Sequence, residues 1–211
     1  MSALFAPAIL GTGLVLGLVH ALDPDHLLTV SSLAARPGRH GATLRYAGSW
    51  ALGHGALLVA VVAAALLLGW ALPTVIASGA ERLVGGVLII TGVVVLRDLP
   101  TASRIGLSGT DNGPVLAFRL KAPFAIGVVH GTAGSAALLA LLPASTLSPA
   151  IGMTYALVFA LGTLLGMMSF GLMFERIQAI ADARRPELLE PMQALLGVMA
   201  IGLGALWLWR A

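Results

Sequence analysis

Apolar residues in this chain fall into long blocks, cut by short clusters of Pro, Gly and charge. They do not alternate at the period of a half-buried strand or form the single stripe of a surface helix. Six blocks, at about 3–35, 43–70, 79–97, 123–142, 149–174 and 191–209, reach the roughly 17–25 residues needed to cross a hydrocarbon layer of about 30 Å. Backbone amides exposed to lipid must be paired within their own segment, so each block is predicted to be a helix. Start signals support two of the boundaries. Ser78 and Glu81 have the spacing of a capping box, and Ser148-Pro149 pairs an N-cap residue with proline at the first helical position. The expectation is an all-α, polytopic membrane protein.

Composition agrees. Of 211 residues 58% are hydrophobic and 10% charged, with mean hydropathy +0.97, against about 25% charge in soluble domains. A net charge of +3 is too small for a nucleic-acid-binding domain, and the absence of Cys excludes disulfides, thiolate metal cages and a Cys nucleophile. Any metal chemistry must therefore use His, carboxylate, Met or backbone. The first block could be taken for a signal peptide, but Met1, Ser2 and Ala3 supply no basic n-region, so it is read as a retained span.

Six crossings would put the connections near 36–45, 97–121 and 175–190 on one side and both termini on the other. Ten of the twelve basic residues then share the first side: Arg36, Arg39, Arg45, Arg97, Arg104, Arg119, Lys121, Arg176, Arg184 and Arg185. Only Arg82 and Arg210 lie opposite. The positive-inside rule makes the long connections cytoplasmic and the termini external, in a cell (inner) membrane. Trp70, Trp207 and Trp209 fall at the outer helix ends, where aromatic belts form. The arginines need no role beyond anchoring this topology.

The chain also resembles itself. An offset of 110 lays Gly17, Val19 and His20 on Gly127, Val129 and His130, and an offset of 109 lays Tyr46-Ala47 and Ala51-Leu52-Gly53 on Tyr155-Ala156 and Ala160-Leu161-Gly162. Two three-helix repeats are expected, 1–97 and 122–211, joined by a cytoplasmic loop at 98–121 in a single membrane domain. Three is odd, so the second repeat must enter the membrane inverted, the construction of many secondary transporters with a midplane site. Glycines four apart, such as Gly13 and Gly17, Gly127 and Gly131, or Gly162 and Gly166, allow close helix contact.

Chemistry is concentrated in His20-Ala21-Leu22-Asp23-Pro24-Asp25-His26, two imidazoles and two carboxylates inside an apolar block. An acidic side chain at the bilayer centre costs roughly 2.5–3.5 kcal/mol, so two uncompensated ones would cost about 5–7 kcal/mol. A divalent cation cancels both charges. His54 and His130 each lie nine residues beyond a basic boundary residue, Arg45 and Lys121, or about 14 Å into the membrane at 1.5 Å per residue. Pro24 should break the first helix, with Asp23 as N-cap, leaving backbone groups that can help hold an ion. The candidate metal ligands are His20, Asp23, Asp25, His26, His54 and His130. Imidazole with carboxylate suits Ni, Co or Zn better than Mg or Ca. Asp23 can equally serve only as a cap, and His54 and His130 only as buried hydrogen-bonding histidines. His40 reads as solvated, Met167 and Met168 as packing, and Thr132 and Ser135 as backbone partners.

The spacing His20, four residues, Asp25-His26 resembles the metal-recognition helix of the nickel/cobalt transporter (NiCoT) family, and Gly53-His54-Gly55 resembles that family's second motif. His130-Gly131-Thr132-Ala133-Gly134-Ser135 is similar to a helix of its short six-span members, the urease-accessory-type nickel permeases. The resemblance implies transport of Ni(II), or alternatively Co(II), as cargo with no resident cofactor. It also implies uptake, since 97–121 lacks the histidines of the related exporters. Ligand protonation would weaken metal binding as pH falls through the histidine range. An exporter, and an accessory membrane subunit delivering metal to a metalloenzyme, are the alternatives. An enzyme is not expected: Gly134-Ser135-Ala136-Ala137 departs from the G-x-S-G of intramembrane serine hydrolases, and no H-E-x-x-H occurs.

Overall fold

The computed structural model describes residues 5–34, 41–69, 73–99, 123–131 and 148–210. All regular structure among them is helical: α1 (Phe5–His20), α2 (Pro24–Ala34), α3 (Ala42–Leu68), α4 (Thr74–Arg97), α5 (Pro123–Gly131), α6 (Pro149–Arg184), a 3-10 turn (Pro186–Leu188) and α7 (Leu189–Arg210). Four of these are long and apolar enough to cross a membrane, or five if α1 and α2 are counted as one bent span. The fourth expected span, 123–142, is described only as far as Gly131. The loop 98–121 lies outside the described residues beyond Leu99, as do Arg36, Arg39, His40, Trp70, Thr132 and Ser135.

The break at Pro24 is present. The chain bends by 54° between α1 and α2, and the amides of Leu22 and Asp23 fall back on the carbonyls of Val19 and His20 at 2.9 and 3.1 Å, tightening the last turn. Pro24 has no amide to place, and the Asp23 carbonyl accepts the first bond of α2 from Leu27 at 3.1 Å. Asp23 thus holds the N-cap position through its backbone, while its carboxylate turns back to His20.

Two helix ends differ from expectation. Helix α4 begins at Thr74, after the extended Pro73, so Ser78 and Glu81 lie within it and form no cap. Helix α6 continues to Arg184, because residues 175–184 contain neither Gly nor Pro and Pro186 is the first residue able to stop it. The expected connection at 175–190 shrinks to a short turn. Pro149 does open α6, but the Ser148 hydroxyl makes no capping bond.

Helix α6 packs against α1 and α3, and α5 packs against α3. Helices α4 and α7 pair with each other and reach the remaining helices chiefly through α2. Leu28 of α2 joins Ala80, Val84 and Leu88 of α4, with Trp207 of α7 against the same cluster. These pairings need glycine. A Cβ on Gly17 would collide with the Phe159 carbonyl, and one on Gly127 with the Trp50 carbonyl. The outward surface carries Leu67, Val75, Leu157, Leu195 and Val198, whereas Thr29, Ser31, Thr91 and Thr163 are buried. Apolar outside and polar inside is the arrangement that lipid favours and water does not.

Candidate metal centre

Four elements converge on the buried polar core. The end of α1 supplies His20, the start of α2 supplies Asp25 and His26, the middle of α3 supplies His54 and the end of α5 supplies His130, all of them buried. Asp23, in the break, keeps a third of its side chain exposed (33%) and is the most open group of the set.

Hydrogen bonds fix most of the imidazole tautomers. His20 Nδ1 donates to Asp23 Oδ2 at 2.8 Å, which leaves Nε2 as the lone-pair nitrogen of the neutral ring. His26 Nδ1 donates to the His20 carbonyl at 3.1 Å, so its Nε2 is likewise free to ligate and lies 3.7 Å from Asp25 Oδ2. His130 Nδ1 donates to the Ile126 carbonyl at 2.9 Å, while its Nε2 accepts from the Thr29 hydroxyl at 3.1 Å. His54 differs: its Nε2 is 3.0 Å from His20 Nε2 and its buried Nδ1 has no partner. One proton between the two Nε2 atoms satisfies the metal-free pair, and a cation drawing on both lone pairs would take that proton's place.

Two overlapping groups have metal-ligand geometry. His20, His26 and His54 form one, Asp23, Asp25 and His26 the other, and within each group the ligand atoms lie within 4.8 Å of one another. An ion about 2.0–2.1 Å from each imidazole nitrogen needs its ligands no more than about 4 Å apart, so a small contraction closes either group. His26 belongs to both. The first group is wholly buried, and the second includes the partly exposed Asp23. His130 stands outside both groups, its ring centroid 6.4 Å from that of His26 and its ligand atom occupied by Thr29.

Some expectations about the backbone change here. The His20 carbonyl accepts from both the Asp23 amide and His26 Nδ1, each at 3.1 Å, and so orients that ring instead of facing an ion. Met167 is fully buried in an apolar cluster with Ala21, Val30 and Ala47, in a packing role.

Sequence reading passed over three residues of this centre. Trp50 is fully buried, stacks on His54 at 5.1 Å and meets His26 and His130 edge-on at 4.8 and 5.3 Å. Phe159 lies 5.4 Å from His20. Thr29 holds His130. Trp50 lies four residues before His54 and Thr29 three after His26, so helical spacing from the known histidines is the signal that marks them.

The chain is 34% identical over 173 residues to the urease accessory protein UreH of Bacillus sp. (strain TB-90), an alignment covering 77% of this chain and 74% of the relative. The chain belongs to the UreH family. It is also similar to two chloroplast proteins of Arabidopsis thaliana, FOR GROWTH AND FERTILITY 2 and FOR GROWTH AND FERTILITY 1. Each is 29% identical to it over 92% of this chain, which spans little more than half of their length, 54% and 56%. No protein-family model matches the chain, and no solved structure matches it.

Proposed function

We propose that this UreH-family protein carries a divalent transition-metal cation across a cell membrane, nickel first and cobalt second, in the direction of uptake. The observation that carries this reading is the pair of metal-ligand groups sharing His26 inside an apolar helical bundle. Two carboxylates with three neutral imidazoles neutralise a 2+ ion and give it borderline nitrogen ligands. The resemblance of His20 through His26 to the nickel/cobalt transporters, and kinship with a urease accessory protein, support a cation destined for a metalloenzyme.

The proposal includes six spans, both termini external, and two inverted repeats. Contacts between helices support the repeats, because they exchange under the sequence offsets. Gly17 abuts Phe159 and the amide of Thr163, and Gly127 abuts Trp50 and the amide of His54, each amide 3.0 Å from the position of an added Cβ. Offsets of 110 and 109 turn the first set into the second. Gly162 against the Leu14 carbonyl likewise corresponds to Gly53 against the Phe124 carbonyl.

The α4–α7 crossing maps onto itself. Gly85 meets Gly204 and Leu208, and Gly197 meets Gly92 and Leu96; Gly92 meets Gly197 and Ile201, and Gly204 meets Gly85 and Ile89. An offset of 112 interchanges these partners residue by residue. Matches among apolar letters alone arise easily, but matched neighbours in space are a far stricter condition.

Uptake of labelled nickel by proteoliposomes containing this protein alone tests the function. Flux that cobalt competes for and that His26→Ala abolishes is the expected result. Binding without flux would point instead to an accessory subunit that delivers metal, and flux only outward would make it an exporter.

A further inference from the structure

The repeat identifies a residue that the motifs do not. His54 and Trp50 on α3 have Thr163 and Phe159 as their counterparts on α6. The environments correspond as well as the numbering. Phe159 lies against His20 at 5.4 Å as Trp50 lies against His130 at 5.3 Å, and the Thr163 amide faces Gly17 as the His54 amide faces Gly127. Thr163 therefore holds, in the second half, the position that His54 holds in the first. Its side chain is fully buried.

We propose that the Thr163 hydroxyl is the ion ligand contributed by α6, an oxygen donor standing in the second half where the first half has an imidazole. The hydroxyl donates to the Phe159 carbonyl at 3.1 Å, a bond back along its own helix that uses its proton and neither of its oxygen lone pairs. Such bonds are common for threonine in helices, and they are shorter elsewhere in this chain: 2.6 Å for Thr91 to Val87 and 2.8 Å for Thr154 to Ala150. Hydroxyl pairs favour about 2.7–2.8 Å, so Thr163 is the loosely held member of the three. A hydroxyl also differs from imidazole in the ions it favours. Oxygen suits harder cations such as Mn, and nitrogen suits Ni and Co, so Thr163 would limit the preference that His20, His26 and His54 establish.

The inference rests on the transport reading above, and its test separates the two. Metal binding to purified protein and nickel uptake by proteoliposomes, with Mn as competitor, would be measured for wild type, Thr163→Val, Thr163→Ser, His54→Ala and Thr91→Val. Thr91 is an equally buried threonine with the same type of bond, on α4, which carries none of the candidate ligands. The expected result is that Thr163→Val weakens nickel binding about 10-fold and weakens Mn competition further still, that Thr163→Ser restores both, and that Thr91→Val alters neither. Should Thr163→Val fail to insert, Thr163→Ala set against Thr163→Ser supplies the same contrast. If Thr163→Val matches wild type in affinity and in Mn competition while His54→Ala abolishes uptake, the assignment of Thr163 is overturned and transport stands. Equal losses in Thr163→Val and Thr91→Val, with no shift in Mn competition, would reduce Thr163 to packing and overturn it too. Wild type that neither binds nor moves metal would remove the transport reading, and this inference with it.

Discussion

Two glycine-mediated crossings in this molecule make an instructive pair. Helices α4 and α7 approach at Gly85, Gly92, Gly197 and Gly204, and helices α3 and α5 approach at Gly53, Gly127 and Gly131. Both depend on the same small-residue packing. The first is lined by Ile89, Leu96, Ile201 and Leu208, and none of the five buried groups of the metal centre lies on it. The second has Trp50, His54 and His130 at its contact, next to His26. Close approach is thus a general means of joining helices here, and what distinguishes the two crossings is the side chains that the glycines bring together. The α4–α7 pair touches the centre mainly by way of α2, the helix that bears Asp25, His26 and Thr29.

The sharpest test of that contrast removes His26, which belongs to both ligand groups. His26→Ala should lower metal affinity by more than the roughly 100-fold that loss of an outer partner reaches. Calorimetric titration of purified protein with nickel checks this. An affinity within a few-fold of wild type would mean that neither group holds the ion.

Enlarging glycines separates packing from chemistry. At Gly127 an alanine methyl would collide with the Trp50 carbonyl, and at Gly92 with the Gly197 carbonyl, so each substitution should destabilise the protein by about 1–3 kcal/mol, read as loss of thermal stability in detergent. Only Gly127→Ala should also reduce nickel affinity in the fraction that remains folded, because it displaces Trp50 and His54 directly. If Gly92→Ala reduced affinity equally, the two crossings would be mechanically one unit.

Much of this was legible in the sequence, and the reasons are physical. Charged residues in an apolar block cannot be explained by packing, so His20, Asp23, Asp25 and His26 stand out from the letters alone, and Pro24 marks its own break. Helix ends are less plain: charge at Glu175 and Arg176 hides the continuation of α6 to Arg184, which the lack of Gly or Pro before Pro186 permits, and the capping-box spacing at Ser78 hides the start of α4 at Thr74. Trp50 and Phe159 look like any apolar residue until the rings are seen against the histidines. His130 illustrates the opposite case. It is fully buried, but burial does not specify partners, and the structure pairs its ligand nitrogen with Thr29 and keeps it out of both groups.

A milder substitution sharpens the role of the helix break. Asp23 orients His20 through the 2.8 Å bond to Nδ1, and it also belongs to the carboxylate group with Asp25 and His26. Asp23→Asn keeps an oxygen that can accept from Nδ1 but removes the charge. It should therefore weaken nickel binding by about 10-fold, as loss of an outer-shell partner does, whereas Asp23→Ala, which also releases the ring, should approach about 100-fold. Equal losses in the two variants would assign Asp23 to charge alone.

The smallest effect is expected at Thr29, whose hydroxyl donates to His130 Nε2 at 3.1 Å. Thr29→Val keeps the shape and removes the donor, leaving a buried lone pair without a partner at a cost of about 1–3 kcal/mol in stability. His130 lies outside both ligand groups, so nickel affinity should change no more than a few-fold while the melting temperature falls. Thr29→Ser should restore the melting temperature. A gain in nickel affinity in Thr29→Val would mean instead that His130 is a ligand held back by this hydroxyl, and that freeing its nitrogen admits the ion to α5. The two readings predict opposite signs in one titration, so the smallest of these perturbations decides whether the α3–α5 crossing holds one ligand or two.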